Sequence, residues 1–181
     1  QASTGRHALM RQLKLGEASV KTLINRLKKA GLVETSRPQG TRLTEAGRGL
    51  VVRLKEFIKL IPNVELSEVC RDCRVSGVIF SGGYSYLVKV GGVIVFRDLV
   101  VKEGADGALI VVCLSGGLYL PTPIGVEEAR VEVLDRLAES YGVKNGDLLL
   151  LGMCYGADGD RCLSAVVNTI VKIAGRSRNV K

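Results

Sequence analysis

Five cysteines and a single histidine are the soft ligands and strong nucleophiles in this 181-residue chain. Cys70-Arg71-Asp72-Cys73 is a C-x-x-C pair. It supplies two of the four ligands of a tetrahedral zinc site, and Cys113, Cys154 and Cys162 could complete it only if the fold brings them together. The same spacing suits a redox pair, a disulfide in a hyperthermophile, or two idle thiols. An odd cysteine count argues against a secreted disulfide framework. Cys113 and Cys154 lie in apolar runs, where cysteine behaves as a small hydrophobe. His7 is alone, so one subunit can assemble no histidine-based triad or metal site, and residues 62–181 show no recognisable nucleophile–base pair. We therefore expect no metal, no cofactor and no enzyme. The segment Gly152–Arg161 reads as a strand-to-helix loop whose amides could meet an anion. Asp158 and Asp160 would repel a phosphate, and no G-x-x-x-x-G-K is present, so a turn with Asp160 as N-cap is expected. An effector pocket, if present, is expected at this loop and at the Ser81-Gly82-Gly83-Tyr84 turn.

Cationic residues carry the other chemistry. The chain's net charge is +8. Residues 1–61 hold thirteen Lys and Arg against four Asp and Glu, a net of +9, and residues 62–181 hold thirteen against fourteen, a net of −1. A basic first third on a neutral remainder implies a polyanionic partner for that third alone. The composition shift falls near Pro62, which ends a helix, so the domains are read as 1–61 and 62–181. No apolar run reaches the ~18 residues needed to span a bilayer, and Gln1–Gly5 lacks a signal-peptide core. A cytoplasmic protein with no membrane partner is expected, and the opening Gln1 need not be the natural start.

Elements that could position these cations follow from periodicity. Gly5–Leu13 reads as a short helix, Lys14-Leu15-Gly16 as a turn, and Glu17–Ala30 as an amphipathic helix with Val20, Leu23, Ile24 and Leu27 inward. Gly31 caps it. Leu32–Thr35 and Thr41–Leu43 form a hairpin around Ser36–Gly40, and Thr44 caps a helix from Glu45 to about Leu60. The outward face of the second helix is polar and cationic, as entry into a major groove requires. Ala18, Lys21, Thr22 and Asn25 are expected at base edges, with Arg26 and Lys29 on phosphates. The hairpin carries Arg37, Gln39 and Arg42, which could reach an adjacent minor groove or backbone.

The stretches LGEASVKTLINRLKKAGLVE and RLTEAGRGLV resemble the winged-helix repressors of bacteria and archaea over roughly Gly5 to Ile58. Leu15, Val20, Leu23, Leu27, Gly31, Leu32 and Val33 match that family's helix-turn-helix core. The resemblance implies binding to double-stranded DNA. It also implies another helix ahead of the helix-turn-helix, where only Gln1–Thr4 stand. Protein contact alone is the competing role for such a module.

Beyond Pro62, strands are expected at Val75–Phe80, Tyr86–Val90 and Asp147–Met153. A hairpin is expected at Ala108–Leu114 and Leu118–Leu120, and helices at Val93–Glu103, Val126–Tyr141 and Asp160–Ala174. The stretches FRDLVVKEGADGALIVVCLSGGLYLPT and LDRLAESYGVKNGDLLLLG are similar to an archaeal family that joins a winged helix to a C-terminal domain of unknown function. That resemblance implies a two-layer α+β domain with a mainly antiparallel sheet, akin to the GAD domain of aminoacyl-tRNA synthetases and amidotransferases. The expectation is a two-domain α+β transcriptional regulator. Its second domain pairs subunits into a homodimer or senses a small-molecule effector. An RNA-associated protein is the alternative, separable by a preference for structured RNA over duplex DNA.

Overall fold

The computed structural model describes residues 3–36, 38–156 and 159–176. The chain divides into two compact units, 1–55 and 56–181.

In the first unit, α1 (Arg6–Leu13) and α2 (Glu17–Lys29) are followed by the antiparallel strands β1 (Val33–Ser36) and β2 (Gly40–Leu43), and then by α3 (Glu45–Phe57). Lys14 takes a left-handed conformation to close α1, and Gly31 does the same past the end of α2 at φ 71°. Thr4 exchanges backbone hydrogen bonds with Thr41 at 2.9 and 3.0 Å, which adds an extended segment beside β2. Val20 and Ile24 are buried as their spacing predicts, together with Val33. With Leu9, Leu13, Leu23, Leu27 and Leu43 they line an apolar hollow of about 410 Å³. Thr44 caps α3 as expected: its Oγ1 accepts from the Gly47 amide at 3.0 Å and donates to the Gly31 carbonyl at 2.6 Å. Gly47 is buried against the Leu32 carbonyl, where a β-carbon has no room.

α3 stops at Phe57, short of the expected Leu60. Ile58–Val64 is a strand, β3, and belongs to the second unit. Pro62 is tolerated because β3 is an edge strand, and the register shifts between Ile61 and Val64, so a missing N–H costs no ladder bond there. Ser76 Oγ donates to the Pro62 carbonyl at 2.7 Å.

β4 (Cys73–Phe80), β5 (Gly107–Leu114), β6 (Gly117–Thr122), β7 (Gly125–Glu128) and β8 (Leu148–Tyr155) join β3 in one sheet of order β3-β4-β8-β5-β6-β7, with every pairing antiparallel. Helices α4 (Gly83–Lys89), α5 (Val93–Lys102), α6 (Glu132–Tyr141) and α7 (Gly159–Arg176) complete the α+β fold. Along β8, Leu148 and Leu150 face the core beneath α4, α5 and α7, while Leu149 and Leu151 face a second core with α6 and the Leu66–Cys70 segment. All four leucines are fully buried, so both faces need cover. The sheet is therefore a middle layer, and the expected two-layer arrangement is corrected to helices on both sides.

Two further expectations change. Tyr86–Val90 lies in and just past α4 instead of forming a strand. Gly83 and Leu87, one turn apart, pack inward, and a β-carbon at Gly83 would sit 2.7 Å from Leu148 Cβ. The helix approaches β8 because Gly83 has no side chain. Val126–Glu128, expected as helix, pairs with β6 through Val126↔Pro121 and Glu128↔Tyr119, and the helix begins only at Glu132. The other strands and helices of this unit stand within a few residues of expectation.

Candidate nucleic-acid interface

The polar face of α2 is set by what its other face buries. With Val20 and Ile24 inward, Ala18, Lys21, Thr22, Asn25, Arg26 and Lys29 are all exposed. Lys21, Arg26 and Lys29 have no ion-pair partner among the described residues, so their charge is available to a ligand. The positions fall on two flanks. Lys21 and Asn25 line a groove of about 380 Å³ between α2 and the β1–β2 hairpin, together with Arg6, Lys28, Thr35, Ser36, Gly40 and Thr41. Ala18, Thr22 and Arg26 line an open depression on the opposite flank with Ser19 and Leu23. The six α2 residues are thus brought to one exposed helix, with the cationic groove on the hairpin side.

The hairpin residues fare differently. Arg42 lies directly across the ladder from Glu34 and its Nε donates to Glu34 Oε1 at 2.8 Å, so part of its charge is engaged within the unit. Gln39 Oε1 accepts from Ser36 Oγ at 3.1 Å. Arg37 lies outside the described residues.

Arg6, Lys28 and Thr35 were missed in the sequence. Lys28 Nζ donates to Thr35 Oγ1 at 2.9 Å, bridging α2 to β1. Arg6 Nη1 meets Glu17 Oε1 at 3.1 Å across the α1–α2 turn. Lys28 sits three and seven residues after Asn25 and Lys21, and that i, i+4, i+7 stripe was a readable signal.

In the second unit, the two segments expected near an effector are separated. Phe80 pairs with Leu148 at one end of the β4–β8 ladder and Cys73 with Tyr155 at the other. The Ser81–Tyr84 turn and the segment after Tyr155 therefore stand about 25 Å apart, at ~3.4 Å per residue of strand. Two of the turn's amides are engaged internally: Gly82 N donates to Asp147 Oδ1 at 3.0 Å and Tyr84 N to the Gly146 carbonyl at 3.1 Å. Gly152–Tyr155 belong to β8, Ala157 and Asp158 lie outside the described residues, and Asp160 falls inside α7, not at its cap. Among the described residues the two segments therefore do not meet in one site.

The cysteines resolve into two disulfides, Cys70–Cys73 and Cys154–Cys162, with Cys113 free and buried. Burial, then the nearby Asp147 carboxylate, pushes the Cys113 thiol above its ordinary value, opposed by a hydrogen bond from the Gly116 backbone. Among the described residues no cluster of three or more His, Cys, Asp or Glu could hold a metal, and no helix is long and apolar enough to cross a membrane.

Among solved structures, the chain is similar to the hypothetical protein PH0730 from Pyrococcus horikoshii OT3, with a TM-score of 0.63 and 18% identity over 97% of this chain and 86% of that one. This is a likeness of fold. No curated protein matches the chain. The family model described as "Domain of unknown function (DUF4443)" matches residues 74–168, which spans β4 to most of α7. Both likenesses fit an uncharacterised archaeal family, and because the family model matches more than half of the chain, the chain belongs to the DUF4443 family.

Proposed function

We propose that the protein is a DNA-binding transcriptional regulator in which residues 1–55 act as a winged helix. α2 enters the major groove, the β1–β2 hairpin is the wing, and the second unit, a GAD-like domain in this reading, pairs subunits or senses an effector. The observation that carries the reading is the outer face of α2. Lys21, Asn25 and Arg26 stand exposed on a helix whose inner face holds it to its own unit through Val20 and Ile24. Lys21 and Asn25 offer hydrogen-bond donors to base edges, Asn25 with the paired donor and acceptor that read adenine, while Arg26 neutralises phosphate. The concentration of positive charge in the first third supports the same partner. A single module of this size binds weakly, so a homodimer on two half-sites is the functional form.

The test is selection of genomic fragments by the purified protein, with the salt dependence of each bound duplex recorded. Enrichment of a short two-fold-symmetric site with steep salt dependence supports the reading. Weak binding that is flat in salt, or tighter binding to structured RNA than to any duplex, refutes it.

A further inference from the structure

The two disulfides stand back to back at one end of the sheet. Cys73 pairs with Tyr155 and Arg74 with Cys154 in the β4–β8 ladder, so neighbouring rungs carry one member of each bond. Cys154–Cys162 lies in the core beneath α5 and α7, with exposures of 1% and 0%. Cys70–Cys73 belongs to the opposite core, at its rim: Cys70 is 8% exposed and Cys73 more so, with Arg71, Asp72 and Arg74 exposed around them. The bonds differ in the chain they close as well as in burial. Cys154–Cys162 spans a separation of eight residues and ties α7 to β8, whereas Cys70–Cys73 spans three and closes a single turn of the segment leading into β4. A short loop gains little stability from its crosslink, and a rim position admits a nucleophile.

We propose that Cys70–Cys73 is a thiol–disulfide exchange site for a dithiol reductant, and that Cys154–Cys162 is a structural crosslink that does not exchange in the folded protein. The reductant's thiolate attacks Cys73 Sγ, the more exposed sulfur. The Cys73–Cys70 bond breaks and Cys70 leaves as a thiolate, which takes a proton from solvent. The reductant's second thiol then attacks the mixed disulfide, expels Cys73 as a thiolate that is protonated in turn, and closes the reductant's own disulfide. Two electrons pass to the pair and the reductant is oxidised by two. Reduction removes the crosslink that ties the Leu66–Cys70 segment to β4; Leu66 and Cys70 belong to the same core as Val64 and Val75, on the α6 side of the sheet.

The experiment incubates the full oxidised chain with dithiothreitol, quenches with acid, alkylates, and maps modified cysteines by peptide mass. Circular dichroism follows the fold in parallel. Cys70 and Cys73 are expected to become modified together at least ten-fold faster than Cys154 and Cys162, with the helical signal unchanged. In oxidised glutathione, Cys70→Ser is expected to hold a stable mixed disulfide on Cys73 in higher yield than Cys73→Ser holds on Cys70. Reduced thioredoxin in place of dithiothreitol distinguishes the source: a rate per thiol ten-fold higher assigns the exchange to a protein dithiol, and an equal rate to a small one. Simultaneous reduction of both bonds, reduction only on unfolding, or free thiols at Cys70 and Cys73 in oxidised dithiothreitol overturns the proposal. The wild-type rates decide the matter even if a serine variant does not fold.

Discussion

Two glycines in α3, two residues apart, should respond to alanine with opposite signs. Gly47 faces its own unit: a β-carbon there would lie 3.2 Å from Leu43 Cδ2, 3.0 Å from the Leu32 carbonyl carbon, and well inside contact with the Leu32 oxygen. That oxygen already accepts the Thr44 amide at 3.0 Å, so it cannot retreat without loss. Gly49 points into open space. Ala stabilises a helix over Gly by about 1 kcal/mol at either position. At Gly47 this is outweighed by overpacking against backbone, about 1–3 kcal/mol, and by weakening of the Thr44 cap, about 1 kcal/mol. The net is roughly 2 kcal/mol destabilising for Gly47→Ala and about 1 kcal/mol stabilising for Gly49→Ala. Residues 1–55 contain no Phe, Tyr or Trp, so fluorescence does not see this unit. Amide hydrogen exchange by mass spectrometry does. Gly47→Ala should speed exchange in α2, β1 and α3 about thirty-fold if the first unit opens as one, and Gly49→Ala should slow it. Equal protection in the two variants would refute the packing argument.

Other predictions follow from the same reasoning. Arg26→Ala and Lys29→Ala should each lower the slope of log K against log salt by about 0.9 for duplex DNA, and Arg42→Ala by less than half of that, because Glu34 holds its Nε; equal slopes in titrations of all three would oppose the assignment. Asn25→Ala should erode sequence preference by about 1–3 kcal/mol while leaving binding to random duplex near the wild-type value, as measured by competition. Asp147→Ala removes the acceptor of both Gly82 N at 3.0 Å and Lys144 N at 2.9 Å, and should cost about 2–4 kcal/mol in urea unfolding of the second unit. The raised Cys113 thiol makes the unfolded chain lose its proton first as pH climbs past the ordinary value of 9.0, so stability should fall with alkalinity from there until the folded thiol also ionises. Cys113→Ala should remove that part of the slope, and an identical pH profile in thermal melts would contradict it.

Much of the first unit was legible because its helices are amphipathic and their ends are marked. The Val20–Ile24 stripe, Gly31 and Thr44 each do what their residue types dictate. The exposed face of α2 follows from that stripe, so its candidate residues were legible too. The Arg42–Glu34 pair was not, because it depends on hairpin register, and neither was the Lys28–Thr35 bridge, which depends on how α2 meets β1. In the second unit, local pattern misled where tertiary contact decides. Tyr86–Val90 is β-prone by composition, yet the gap left by Gly83 admits a helix against Leu148. Pro62 reads as a helix stop but sits on a sheet edge. The run Leu148–Leu151, apolar at every position, was the sign that both faces of the sheet are covered, and the expected two layers overlooked it.

The central claim is that the exposed face of α2 reads duplex DNA. Genomic-fragment selection carried out side by side on the wild-type chain and on Lys21→Ala/Asn25→Ala tests it most directly. The account predicts that the wild type enriches one symmetric site and that the double variant loses that enrichment while keeping weak, salt-sensitive binding. Identical enrichment by both proteins, or none by either, would contradict it.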